Sequence, residues 1–107
     1  MRRIIIESPY AGDVAGNVAY LRRCLADSLA RGEAPFASHG LYTQAGVLRD
    51  NDPEERRRGI EAGFAWGEAA DAVVFYTDRG MSTGMALGLE RAKRSGQRVE
   101  FRTIDEK

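Results

Sequence analysis

Apolar positions in this chain fall into two registers, short β-branched runs and longer stretches in which they recur every three or four residues. Arg3 to Glu7, with Ile4-Ile5-Ile6 at its centre, reads as a strand buried on both faces. Pro9 and Gly12 end it, and Asp13 is placed to cap a helix. Val14, Val18, Leu21, Leu25 and Leu29 give that helix a predicted apolar stripe, and Gly32 stands at its expected C-terminal end. Ala34 to Ser38 is a weaker strand candidate, and Gly40 to Asn51 is the longest irregular stretch. Asp52-Pro53-Glu54-Glu55 combines a cap, a proline at the first helical position and a glutamate at the third, which predicts a helix running to about Ala69. Ala72 to Thr77 is the clearest strand; Ser82 can cap a third helix ending before Gly96, and Gln97 to Thr103 alternates as an edge strand does.

The order is therefore β-α-β-α-β-α-β. Helices long enough for right-handed crossovers imply an α/β fold, a three-layer α-β-α, Rossmann- or flavodoxin-like arrangement with a parallel sheet of about four strands. Its 107 residues suit a single domain, 1–107, without repeats or linkers.

Composition narrows the function classes. Acidic and basic residues balance at 16 each, so the chain as a whole has no electrostatic pull on nucleic acid. No apolar run approaches the length of a membrane span, and the apolar part of residues 1–6 is too short for a secretory signal, so the expectation is a cytoplasmic protein with no membrane partner. Cys24 is the single cysteine and His39 the single histidine, which argues against a disulfide or a protein-only zinc site; no metal and no cofactor are expected. Cys24 falls where a buried, inert thiol is expected.

Open parallel sheets bind ligands beyond the carboxyl ends of their strands, where strand order reverses. Three segments should meet there: Glu7-Ser8-Pro9-Tyr10-Ala11-Gly12-Asp13, Ser38-His39-Gly40-Leu41-Tyr42, and Asp78-Arg79-Gly80-Met81-Ser82-Thr83-Gly84. The first and third lead into helix N-termini, whose free N–H groups suit anions. Neither loop matches a dinucleotide or Walker fingerprint. Each residue also has a plainer role: the glycines in turns, Ser82 as a cap, His39 as a structural histidine.

The second helix carries Gly59, Gly63 and Gly67 at four-residue spacing. Glycine costs ~1 kcal/mol against alanine in a helix interior, so this stripe asks for a reason. Either another helix approaches closely, as in a homodimer, or the glycines make room for a ligand cavity. Trp66 between them is predicted to be a core anchor.

Taken together, Glu7-Ser8-Pro9-Tyr10-Ala11-Gly12-Asp13, Asn17, Ser38-His39 and Asp52-Pro53-Glu54-Glu55-Arg56 resemble the nucleoside 2-deoxyribosyltransferase-like proteins, which include 2′-deoxynucleoside 5′-phosphate N-hydrolases. The likeness is nearest to small phage and actinobacterial members and spans nearly the whole chain. It implies a sugar-cradling loop after the first strand, with Tyr10 as the tyrosine. It also implies an acidic residue in the second helix and a nucleophilic glutamate in the third, four residues after the glycine of Ser82-Thr83-Gly84. This sequence departs at both places, with Gly63 and Gly88. Glu90 cannot substitute, because two residues along a helix turn it by ~200°. Glu7 and Asp78, at strand ends, are the candidates for a relocated catalytic carboxylate.

The resemblance and its two departures together imply a binding protein rather than an enzyme. Its ligand would be a nucleotide or ADP-ribose-like small molecule, and in a phage it would sequester a nucleotide signal of host immunity, an anti-defence role. The expected ligand-binding residues are Ser8, Pro9, Tyr10, Ala11, Gly12, Asn17, His39, Tyr42, Arg56, Asp78, Arg79, Ser82, Thr83, Gly84 and Gly88, with the arginines on phosphates. One alternative is an N-glycosidase or deoxyribosyltransferase using Glu7 or Asp78. Another is a homo-oligomeric module without a small ligand. A homo-oligomer is compatible with all three readings.

Overall fold

The isoleucine run forms the middle of β1 (Arg3–Glu7), the strand around which the rest of the molecule is arranged. The computed structural model describes residues 1–105. After β1 come α1 (Val14–Ala30), β2 (Ala34–Phe36), the short α2 (Ser38–Leu41), α3 (Pro53–Gly67), β3 (Ala72–Tyr76), α4 (Thr83–Arg94) and β4 (Val99–Arg102). All four strands are parallel, in the order β2-β1-β3-β4. Ile4 pairs with Pro35 on one side of β1, and Ile5 with Val73 on the other. The chain thus moves one way from β1 to β2 and then crosses to β3, so strand order reverses beside β1. This is the predicted α/β architecture. Among the described residues, no helix is long and apolar enough to cross a membrane.

Alternation along the strands makes two cores. Ile4, Ile6, Val74 and Tyr76 pack with Tyr20, Leu21 and Cys24 of α1. Val73 and Phe75 pack on the opposite face with Met85 and Ala92 of α4. Right-handed crossovers in opposite directions require helices on both faces. Full burial of a side chain such as Ile4 or Phe75 contributes roughly 1.5–3 kcal/mol. At the edge, β4 turns Glu100 and Arg102 to the α1 side, in register with Val74 and Tyr76, and there ion pairs replace apolar packing. Arg102 forks onto Glu33 with contacts of 2.8 and 2.6 Å, while Arg2 joins Glu33 and Glu100 at 2.7 and 2.6 Å.

Several boundaries and faces differ from the sequence expectation. The stretch from Ala34 is a strand only as far as Phe36, because Ser38 to Leu41 turns into α2, which packs on α3. The last strand occupies only Val99 to Arg102 of the predicted Gln97 to Thr103. The buried residues of α1 are Asn17, Tyr20, Leu21, Cys24 and Ser28, whereas Val14 and Leu29 are exposed. The helix is rotated because three polar side chains on its inner face have fixed partners. Asn17 donates to the carbonyls of Tyr10 and Ala11, Tyr20 donates to Asp78, and Ser28 donates to Glu33. Satisfied polar groups can be buried at little cost, so this face competes successfully with a purely apolar one.

Trp66 is not a core anchor: 59% of its surface is exposed. It lies over Phe36 of the edge strand with ring centroids 5.8 Å apart, so it overhangs the rim of the sheet. The glycine stripe of α3 is occupied from within the chain. A Cβ on Gly59 would stand 3.1 Å from Leu48, one on Gly63 would meet Ser38 Oγ at 2.6 Å, and one on Gly67 would touch Ile5 at 3.8 Å. Close approach of Leu48 and Ser38 accounts for Gly59 and Gly63, Gly67 makes only an ordinary contact, and all three glycines border the cavity described below.

Candidate functional site

The carboxyl end of β1, Val73 of β3, α2 and the facing sides of α3 and α4 line a cavity of about 590 Å³, within the range of small-molecule pockets. The loop after β1 forms one wall. Gly12 turns that loop into α1 with φ +94°, a conformation a side chain would strain, and Asp13 caps the helix by accepting from the Gly16 amide. The two Asn17 bonds to Tyr10 and Ala11 hold the loop against α1. On the other side, Ser82 caps α4 by accepting from Met85 N at 3.2 Å, which places Thr83 and Gly84 at the cavity.

Glu7 is the most consequential group. Ile4 and Ile6 point to the α1 core, so Ile5 and Glu7 point the other way, into the cavity. Among the described residues, nothing bonds to the Glu7 carboxyl. Burial pushes it up to about 8, so the acid is largely uncharged at neutral pH. Its Oε2 lies 2.7 Å from where a Cβ on Gly88 would be. Both glycine departures noted in the sequence are thus filled from the carboxyl edge of the sheet, Gly88 by Glu7 and Gly63 by Ser38.

Ser8 Oγ and His39 Nε2 share a hydrogen bond of 2.7 Å across the junction of β1 and α2. Burial lowers His39 to about 4, leaving a neutral imidazole. Such a histidine is a weak base near neutrality, and its bond to buried Ser8 ties α2 to the cavity floor.

The structure brings together most of the residues expected at the site. Ser8, Tyr10, Ala11, Gly12, His39, Tyr42, Arg56, Ser82, Thr83, Gly84 and Gly88 border the cavity along with Glu7. Four expected residues are not part of the wall. Pro9 shapes the loop without facing the cavity, and the Asn17 amide is used up in holding that loop. Arg79 turns to Asp13 with a 3.0 Å ion pair. Asp78 is committed elsewhere, accepting from the Tyr20 hydroxyl and from the amides of Ile104 and Asp105. Burial alone would raise its pKa, but these donors outweigh it and hold the carboxyl below its ordinary range. Asp78 is thus a structural carboxylate that joins α1, β3 and the segment after β4.

Several cavity residues with side-chain chemistry were not among those expected from the sequence, including Thr43, Arg49, Asp50, Glu55, Glu68, Arg91 and Gln97. Arg91 lies over the Phe64 ring at 4.4 Å and borders the cavity. It stands three residues beyond Gly88 and seven beyond Gly84, a spacing that puts all three on one helix face and was available as a signal. Ser38, in the second of the segments expected to meet here, also borders the cavity. Arg56 makes a loose 3.6 Å pair with Asp50 at the other end of the cavity. Among the described residues, no cluster of side chains is arranged to hold a metal ion.

Comparison with known proteins agrees with this architecture. The family described as "Domain of unknown function (DUF7768)" matches residues 2–102. No curated protein matches the chain. One similar solved structure is a 2-deoxyribosyltransferase from the psychrotolerant bacterium Bacillus psychrosaccharolyticus, described as a biocatalyst for the synthesis of antiviral and antitumoral nucleosides. It superposes with a TM-score of 0.65 at 19% identity, covering 98% of this chain and 75% of that one. At that identity the likeness establishes the nucleoside deoxyribosyltransferase-like fold and nothing about activity.

Proposed function

The chain belongs to the DUF7768 family, and from that premise we propose that its cavity binds a nucleoside- or nucleotide-like small molecule, ADP-ribose-like ligands included, and releases it intact. The observation that carries the reading is the cavity itself, about 590 Å³ at the strand-order reversal. Apolar and tyrosine surface suits a base and sugar, while Arg56 and Arg91 at its border suit phosphates. The fold shared with a nucleoside-handling enzyme supports the ligand class as an analogy. Release of the intact ligand rests on Gly63 and Gly88, which leave α3 and α4 without carboxylates at those places.

Thermal shift across nucleosides, nucleoside monophosphates, ADP-ribose and cyclic nucleotides tests the reading. A rise in melting temperature with one class, and recovery of that ligand unchanged, is the expected result. No shift with any at millimolar concentration rejects it. Sequestration of a nucleotide signal is the use such a protein would have, and assembly into a homo-oligomer belongs to the same proposal; light scattering measures the latter.

A second reading is favoured by one observation, the Glu7 carboxyl occupying the space beside Gly88. There it could serve as the relocated carboxylate of an N-glycosidase, protonating a leaving base. Release of free base from deoxynucleoside monophosphates, abolished by Glu7→Gln, would establish this instead.

A further inference from the structure

Glu7 is half-buried in the cavity wall, and its carboxyl has no partner among the described residues. The charged and titratable groups on every surrounding element are engaged elsewhere or stand clear of it. On α4, Arg91 lies over Phe64. On α2, neutral His39 is bonded to Ser8. In α3 and its approach, Arg49 pairs with Glu55 and Arg56 with Asp50. Glu68 just past α3 and the phenols of Tyr10 and Tyr42 border the cavity without bonding to Glu7. The adjacent strand offers only Phe75 in register. With its hydration reduced by partial burial and no cation facing it, the uncharged acid is the form this environment favours.

The two forms recognise different partners. A carboxylate offers two acceptors, whereas a carboxylic acid offers one donor beside one acceptor. The latter pattern complements a ring nitrogen next to an exocyclic amine. Gly88 supplies the room: because it has no side chain, the carboxyl can lie flat against α4 and face the cavity.

We propose that Glu7 is a recognition residue that meets a planar heterocycle through an uncharged carboxyl, pairing with a ring nitrogen and its neighbouring amine, as on an aminopurine or aminopyrimidine. This deepens the nucleotide-binding reading and rests on it. It assigns the base, rather than the sugar, to the part of the cavity between β1 and α4.

The test is calorimetric titration with AMP, CMP and N6,N6-dimethyl-AMP, which lacks the amine hydrogens, at pH of about 6 and about 9. Wild type should bind AMP and CMP at the lower pH, bind the dimethyl analogue at least about tenfold more weakly, and lose about tenfold in AMP affinity at the higher pH. Glu7→Gln carries a donor beside an acceptor at every pH, so its AMP affinity should no longer depend on pH. Glu7→Leu, checked for cooperative melting, should no longer distinguish AMP from its dimethyl analogue. Equal wild-type affinity for those two probes, or affinity independent of pH, overturns the assignment to Glu7 while leaving the cavity a nucleotide site. Binding abolished in Glu7→Gln, with free adenine released by wild type, overturns it in favour of catalysis. No binding of any probe to wild type overturns the nucleotide reading and this inference together.

Discussion

Glu7 stands in the space that a side chain at position 88 would need: its Oε2 lies 2.7 Å from the Cβ point of Gly88, and its Oε1 3.2 Å. The two positions are therefore coupled, although they lie on different layers of the fold. A carboxyl from the central strand and a side chain from the facing helix cannot share this volume without one of them moving.

Gly88→Ala should gain the ~1 kcal/mol that alanine holds over glycine in a helix and lose a similar amount by displacing Glu7. In a Glu7→Ala background, the same substitution should show the full ~1 kcal/mol gain. Denaturant unfolding of the four variants measures the coupling. Strict additivity would show that the Glu7 side chain vacates this space at no cost.

Gly63→Ala should behave differently. Its new Cβ would meet both Oγ and Cβ of Ser38, at 2.6 and 2.8 Å, and the latter is too close to the backbone to swing away. A loss of roughly 1–3 kcal/mol is expected, with recovery in the Ser38→Gly, Gly63→Ala double variant. The melting temperatures of the three variants check this, and failure of the double variant to recover would place the strain elsewhere.

Stability should fall as pH rises toward mildly alkaline values. Glu7 holds its proton up to about 8 in the folded chain against an ordinary 4.5, so the folded state carries the extra proton between those values and loses stability as pH rises through them. His39, lowered to about 4, acts in the opposite sense, its share rising with pH and complete above the ordinary 6.5. From about 6.5 to about 8 Glu7 acts alone between these two, a decline of roughly 2 kcal/mol. Urea denaturation across that range should show the decline in wild type and a flat profile in Glu7→Gln. An equal decline in both would assign it to another group.

Asp78→Asn separates structure from recognition. The carboxylate accepts from Tyr20 and from two backbone amides, bonds that its amide counterpart cannot all reproduce. Stability should drop by roughly 2–4 kcal/mol, with AMP affinity unchanged in the fraction that remains folded. Lost affinity at undiminished stability would return Asp78 to the site.

Much of the fold could be read from the chain because the local signals agree with one another. Ile4-Ile5-Ile6 and Ala72 to Tyr76 are apolar on both faces and became the two central strands. Asp13, Asp52 and Ser82 each cap the helix their positions predicted. The buried face of α1 could not be read, since Asn17, Tyr20 and Ser28 become good buried residues only through partners far along the chain. Trp66 could not be placed either: whether a tryptophan is covered depends on which strand lies beneath it, and this one sits over an edge.

The same division holds for the site. Sequence alone determined that glycine-bearing loops gather at one end of a parallel sheet, because strand and helix alternation dictates which loops lie together. It also placed Glu7 at a strand end and left Gly63 and Gly88 as positions without side chains. Tertiary structure alone decided that Glu7 and Ser38 fill those two vacancies, that Asp78 and Arg79 turn away, and that burial pushes the Glu7 carboxyl toward its uncharged form. Those outcomes depend on which groups meet across layers and on how far water is excluded between them, and neither is a property of neighbours along the chain.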